Sequence, residues 1–153
     1  MSAPAKDILI LGIGNQLMGD DGAGIEAVEM LKKKELPAGV TVQEAGVPGW
    51  GLPSWFEGHS KVILVDAVQM GTQPGDWKRF RADDLHLVME DGALSLHQPG
   101  LACGLTLAQA LDLLPADLVL YGIEPAQTIA GAAISPEVHS TLLKIVESIM
   151  KDL

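Results

Sequence analysis

The chain has 153 residues, enough for one domain with a sizeable core. Apolar residues make up 48% and charged residues 20%, a globular rather than a disordered composition. Ten basic against twenty acidic residues leave a net charge of −10, which argues against nucleic acid and anionic membrane as partners and permits a metal cation or a basic protein surface.

The stretch Asp7-Ile8-Leu9-Ile10-Leu11-Gly12 reads as a strand buried on both faces, the kind found inside a parallel sheet. Glycines and the adjacent pair Asp20-Asp21 follow it. Glycine permits sharp turns and close backbone approach. Ligands of open parallel sheets bind beyond the carboxyl ends of the strands, so this loop is the first candidate for function. Gly22 to Glu35 reads as a helix with Ile25, Val28 and Leu31 on one side, and Asp20 or Asp21 is a candidate N-cap. Val40 to Ala45 alternates like a strand and leads into the glycine-rich loop Gly46-Val47-Pro48-Gly49-Trp50-Gly51. A short helix is predicted from Leu52 to Glu57. Lys61 to Val68 is a second strong strand, with Asp66 where its apolar run ends. Residues 69–75 form a turn, Asp76 to Arg81 an edge strand, and Ala82 to Ala93 has no clear assignment. Ser95-Leu96-His97-Gln98-Pro99-Gly100 precedes an amphipathic helix carrying Leu101, Leu105, Ala108, Leu111 and Leu114, ending near Pro115. Asp117 to Pro125 is a further strand with another carboxylate, Glu124, at its end. Ser135 caps a last helix whose first residue is Pro136.

The order β-α-β-α-β-(β)-α-β-α predicts a single domain over residues 1–153. Its expected form is a three-layer α/β/α sandwich around a mostly parallel, twisted sheet of about five strands. With one cysteine, Cys103, the chain has no internal disulfide and no cysteine-based zinc cluster. Cys103 sits among apolar residues with no adjacent cation to lower its pKa, so it reads as packing. Met1 to Asp7 is too short and polar for a signal peptide, and no apolar run approaches the ~20 residues of a membrane helix. A cytoplasmic protein with no membrane contact is expected.

Asp21 (or Asp20), Asp66 and His97 are polar groups at strand ends or in loops. Two carboxylates and an imidazole can hold a divalent first-row metal and leave coordination positions open. An Asp before a helix is also an ordinary cap, but both members of the pair cannot fill one cap. Gly12-x-Gly14 invites a nucleotide-binding reading, yet the third glycine of that fingerprint would be position 17, which is Leu17, and two aspartates repel phosphate. Trp50, Trp55 and Trp77 could line a peptide cleft or be partly buried packing.

Leu11-Gly12-Ile13-Gly14-Asn15-Gln16-Leu17-Met18-Gly19-Asp20-Asp21-Gly22-Ala23-Gly24 resembles the opening signature of the hydrogenase maturation endopeptidases. Ile63-Leu64-Val65-Asp66 resembles their second motif and Ser95-Leu96-His97-Gln98-Pro99-Gly100-Leu101 their third, in the same order and over nearly the whole chain. The resemblance implies an aspartyl endopeptidase-like hydrolase that removes a C-terminal peptide from the precursor of a [NiFe] hydrogenase large subunit after nickel insertion. Asp21, Asp66 and His97 would contact the nickel held by the substrate's thiolates. Some relatives carry Glu at the position of Asp21, and the shorter Asp must bring its loop closer to the metal. No permanently bound cofactor is expected. Either the metal polarises the carbonyl or water, or Asp20 or another carboxylate acts as general base while the metal positions the peptide. Gly46, Gly49 and Gln98 are the candidate substrate contacts. A monomer that meets its partner transiently is expected; the competing reading is a metal-binding chaperone of hydrogenase assembly that does not cut.

Overall fold

A computed structural model describes residues 7–85, 95–96 and 99–153. His97 and Gln98, and most of the stretch left unassigned above, lie outside the described residues.

Five strands form the main sheet: β1 (Ile8–Ile13), β2 (Val40–Gly46), β3 (Lys61–Gln69), β4 (Trp77–Arg81) and β6 (Asp117–Ile123). Their order is β2-β1-β3-β6-β4. The pairs β1–β2, β1–β3 and β3–β6 are parallel, and β4 closes one edge antiparallel to β6. A two-residue strand, β5 (Ser95–Leu96), pairs antiparallel with the end of β3.

Alternation sends side chains to two layers. Leu9, Leu11, Val62, Leu64, Leu118 and Leu120 pack with Leu52, Phe56, Leu101 and Leu105, from α2 (Leu52–Phe56) and α3 (Pro99–Ala110). Ile8, Ile10, Ile63, Val65, Val119 and Tyr121 pack with α1 (Ala23–Lys32) and α4 (Pro136–Asp152), through Val28, Leu31, Leu142, Ile145 and Ile149. These two cores on either side of one sheet are the expected three-layer α/β/α sandwich.

Two helices stop sooner than their patterns suggest. α1 ends at Lys32, and α3 ends at Ala110, followed by Asp112 in the left-handed region at φ 56°. Leu111, one of the residues that mark the amphipathic pattern, lies past this end and is more than half exposed. The far end of α4 is fastened to the sheet: Arg79 Nε and Nη2 donate to the Asp152 carboxylate at 2.9 and 3.0 Å, and the Tyr121 hydroxyl donates to it as well.

Candidate active site

β1 pairs with β3 only as far as Gly12 opposite Val65, while β3 runs on beside β6 with Asp66 opposite Gly122. Asp66 lies inside its strand, as the predicted span Lys61 to Val68 has it. It is the first residue of β3 beyond its last pairing with β1. β5 then takes up the vacated side, with Leu96 opposite Val68.

Glycines bring Asp21 to this place. Gly14 adopts φ +133°, and a Cβ there would lie 1.9 Å from the Asp21 carbonyl oxygen and 3.8 Å from Asp66 Oδ1. The Asp21 carbonyl leaves room for no side chain there. At the start of α1, a Cβ on Gly24 would lie 2.2 Å from the Val65 carbonyl oxygen and 2.4 Å from that of Ile13. The first turn of α1 thus rests directly on the end of β1 and the middle of β3, and the 3-10 turn Gly19–Gly22 before it delivers Asp21. Neither obstacle is a flexible side chain, so Gly24→Ala is expected to cost about 3 kcal/mol, the upper end of ordinary overpacking. Urea unfolding of the variant checks this.

Asp66 has no exposed surface and Asp21 is only 1% exposed. The Asn15 N–H donates to Asp21 Oδ2 at 3.0 Å. The Ala67 N–H donates to Asp66 Oδ1 at 2.8 Å, and Asp66 Oδ2 has no hydrogen-bond partner among the described residues. Burial, and then the neighbouring charge of Asp21, push the Asp66 carboxyl well above the usual carboxylate range, against a smaller lowering by the Ala67 N–H. A fully buried carboxylate oxygen with no donor is rare in a folded chain. Two acids held together in a dry site form a place that a cation would stabilise, and perturbed groups of this kind mark candidate functional sites.

Asp20 has different work. Ala126 and Gln127 N–H donate to its Oδ2 at 2.8 and 3.2 Å, the Ser135 hydroxyl donates to Oδ2 at 2.8 Å, and the Ser135 N–H donates to Oδ1 at 2.7 Å. Four donors surround a carboxylate with no exposed surface. That makes Asp20 an anchor of the first loop and corrects one expectation. Neither Asp20 nor Asp21 caps α1, whose N-cap position is Gly22. Ser135 does cap α4, its hydroxyl accepting from the Val138 N–H at 3.4 Å, and through Asp20 it ties that cap to the first loop. The link from Asp20 to Ser135 and residues 126–127 has no local signal in the sequence.

Gly46 and Gly49 take φ +63° and +53°, and open space lies where their Cβ atoms would be. The Gly46 carbonyl accepts from the Gly14 N–H at 2.8 Å and the Gly49 carbonyl from the Leu52 N–H, which leaves each a second lone pair. A groove of about 410 Å³ lies between Gly14–Leu17 and Glu44–Val47. A larger cavity, about 730 Å³, lies away from the two acids, between the turn after β3 and α4, and is lined by Thr72, Trp77, Glu137 and Lys144 among others. Trp77 stacks on Tyr121 with ring centroids 5.9 Å apart, whereas Trp50 stands largely in solvent.

A family profile described as hydrogenase maturation protease matches residues 25–152. The chain is 37% identical over 128 residues to the hydrogenase expression/formation protein HupM of Azotobacter chroococcum, a match covering 83% of this chain and 61% of that protein. It spans about three fifths of the length of such curated relatives. The hydrogenase maturating endopeptidase HybD of E. coli superposes with a TM-score of 0.84 at 27% identity, covering 95% of this chain and 91% of that one. The [NiFe] hydrogenase maturation protease HybD of Thermococcus kodakarensis gives 0.79 at 30% identity, covering 94% and 97%. With the profile running from α1 to α4 and the whole sheet shared with two such proteases, this chain belongs to the hydrogenase maturation protease family.

Proposed function

We propose that this chain is the endopeptidase that shortens the C-terminus of a [NiFe] hydrogenase large-subunit precursor once nickel is in place, and that it recognises that nickel. It would work as a cytoplasmic monomer that meets its substrate transiently; among the described residues no helix is long and apolar enough to cross a membrane. The observation that carries the reading is the buried pair Asp21 and Asp66, with Asp66 Oδ2 lacking a donor among the described residues. Such a pair is costly alone and satisfied by a dication. A substrate that brings the dication offsets the burial and the Asp21 charge that raise the Asp66 pKa, so binding favours the ionised carboxylate. A precursor without nickel offers no such compensation, which makes the metal a checkpoint.

His97 is proposed as the third contact. Its chain neighbour Leu96 is held opposite Val68, two residues along β3 from Asp66. Asp21, Asp66 and His97 then fix the precursor so that its peptide bond lies beside the acids, which turns an encounter into a positioned reaction. Gln98, and the open faces of Gly46 and Gly49, would receive the peptide itself.

The test is mass spectrometry of a nickel-loaded precursor after incubation with the protein. A protease shortens it, whereas an assembly chaperone binds and leaves its mass unchanged. His97→Ala is expected to lower the rate at least ~100-fold while leaving the circular dichroism spectrum unchanged. Shortening at the wild-type rate would remove His97 from the site.

A further inference from the structure

We propose that the free edge of β2 is the docking rail for the substrate: the segment to be removed adds to the sheet as an extended strand beside Val42 and Glu44. The proposal rests on the proteolytic reading above and deepens it by naming how the peptide is held.

Among the described residues β2 is a terminal strand of the main sheet and pairs only with β1. Its residues are partly or fully exposed along its whole length. The Ile8 N–H donates to the Gly39 carbonyl at 3.0 Å, with Ile8 level with Val40. In a parallel ladder the groups then alternate. Those of Thr41 and Gln43 face β1, and the N–H and C=O groups of Val40, Val42 and Glu44 face outward.

The two edges of the sheet are treated differently. β4, Trp77-Lys78-Arg79-Phe80-Arg81, carries three basic residues in five. Charge of that kind blunts an edge against added strands. β2, Val40-Thr41-Val42-Gln43-Glu44-Ala45-Gly46, carries one charge in seven. The unblunted edge is also the one that leads to the acids. Its last residue, Gly46, accepts from the Gly14 N–H, and the Gly14 Cα lies close against the Asp21 carbonyl. The groove beside it is lined by Leu17 and Val47, which are 71% and 52% exposed. Two bare apolar side chains flanking an open strand end are what an extended peptide needs: main-chain hydrogen bonds for affinity, and a side-chain seat next to them. An endopeptidase must also hold its substrate extended, because a peptide bond inside a helix or turn is not presented to the acids.

Two measurements test this together. In the first, the KM for a nickel-loaded large-subunit precursor is compared between Glu44→Pro and Glu44→Ala. Both lose the side chain and its ion pair with Lys32, but only proline removes the outward N–H. Glu44→Pro is expected to show a KM about tenfold above that of Glu44→Ala, one lost main-chain hydrogen bond, with kcat alike. In the second, backbone amide exchange is followed in the wild-type protein held under an excess of the same precursor, and separately with the mature subunit that lacks the extension. Val42 and Glu44 are expected to slow at least tenfold with the precursor and not with the mature subunit.

Equal KM values in the two folded Glu44 variants, or no slowing at Val42 and Glu44, overturn the proposal. Equal slowing by the mature subunit also overturns it, because the body of the subunit and not the extension would then cover the edge. Slowing without any shortening by the wild-type protein leaves the rail in place and removes the proteolytic reading instead.

Discussion

Replacing Asp66 by Asn is expected to abolish processing of the nickel-loaded precursor and at the same time to raise thermal stability at neutral pH. Both effects have one origin. The Asp66 carboxyl is fully buried, faces the charge of Asp21, and is held well above the usual carboxylate range. A group whose pKa is raised by folding binds its proton more tightly in the native chain. Its contribution is fully present below the unfolded value of about 3.9 and is lost as pH rises through the folded value. The Asn side chain does not titrate. The stability gained by Asp66→Asn should therefore be small near pH 4, grow as pH rises, and level off once the folded carboxyl is ionised. The amide oxygen that takes the place of Asp66 Oδ1 can still accept from the Ala67 N–H, which keeps the local backbone as it is. For a chain of this size each kcal/mol moves Tm by about 2–4 °C, so relief of even one is measurable by calorimetry at two pH values.

Activity should move the other way. An amide neither carries charge to a dication nor exchanges a proton, and loss of such a group costs about 10²–10⁴-fold in rate. A functional site that is stabilised when its key acid is neutralised is a strained site, kept because its chemistry needs it. Unchanged Tm at neutral pH would mean that Asp66 is not held against its own charge. Wild-type processing by Asp66→Asn would mean that the acid pair does not serve the reaction.

Much of this arrangement can be read from local patterns. The apolar runs at Ile8–Leu11, Val62–Val65 and Leu118–Tyr121 mark strands because both faces of the sheet are covered, and the same runs form both cores. Ser135-Pro136 marks the start of α4 because a cap depends on neighbours within one turn. What local patterns miss is set by partners far away in the chain. The place of Asp66 just past the last pairing with β1 depends on β6 continuing beside it. α3 stops early because Asp112 turns into the left-handed region, while the leucine spacing continues past it. Asp20 and Asp21 are adjacent and chemically identical, yet one is a structural anchor and the other a member of the acid pair. Nothing in their own sequence separates them; the donors that do so lie up to 115 residues away.

That separation is itself testable, and Asp20 should show the second large effect. Asp20→Ala strips the acceptor from three backbone N–H groups, those of Ala126, Gln127 and Ser135, and from the Ser135 hydroxyl. Ser135 is buried, so its donors cannot turn to water. Hydrogen bonds to a charged acceptor are worth about 1.5–3 kcal/mol each, and Ala126 and Gln127 recover part of theirs from solvent. A loss of roughly 3–5 kcal/mol is expected, a large share of the 5–15 kcal/mol typical of a domain. Asp20→Asn should fall between. Its one amide oxygen suits the Oδ2 position, where three donors converge, and this leaves the amide NH₂ facing the Ser135 N–H across 2.7 Å, donor against donor. The expected order of Tm is wild type, then Asn, then Ala. Processing by Asp20→Asn at low temperature should persist in proportion to the folded fraction, because the variant loosens the loop that carries Asp21 without removing a reacting group. A fully stable Asp20→Asn that processes nothing would reverse the assignment and put Asp20 in the chemistry.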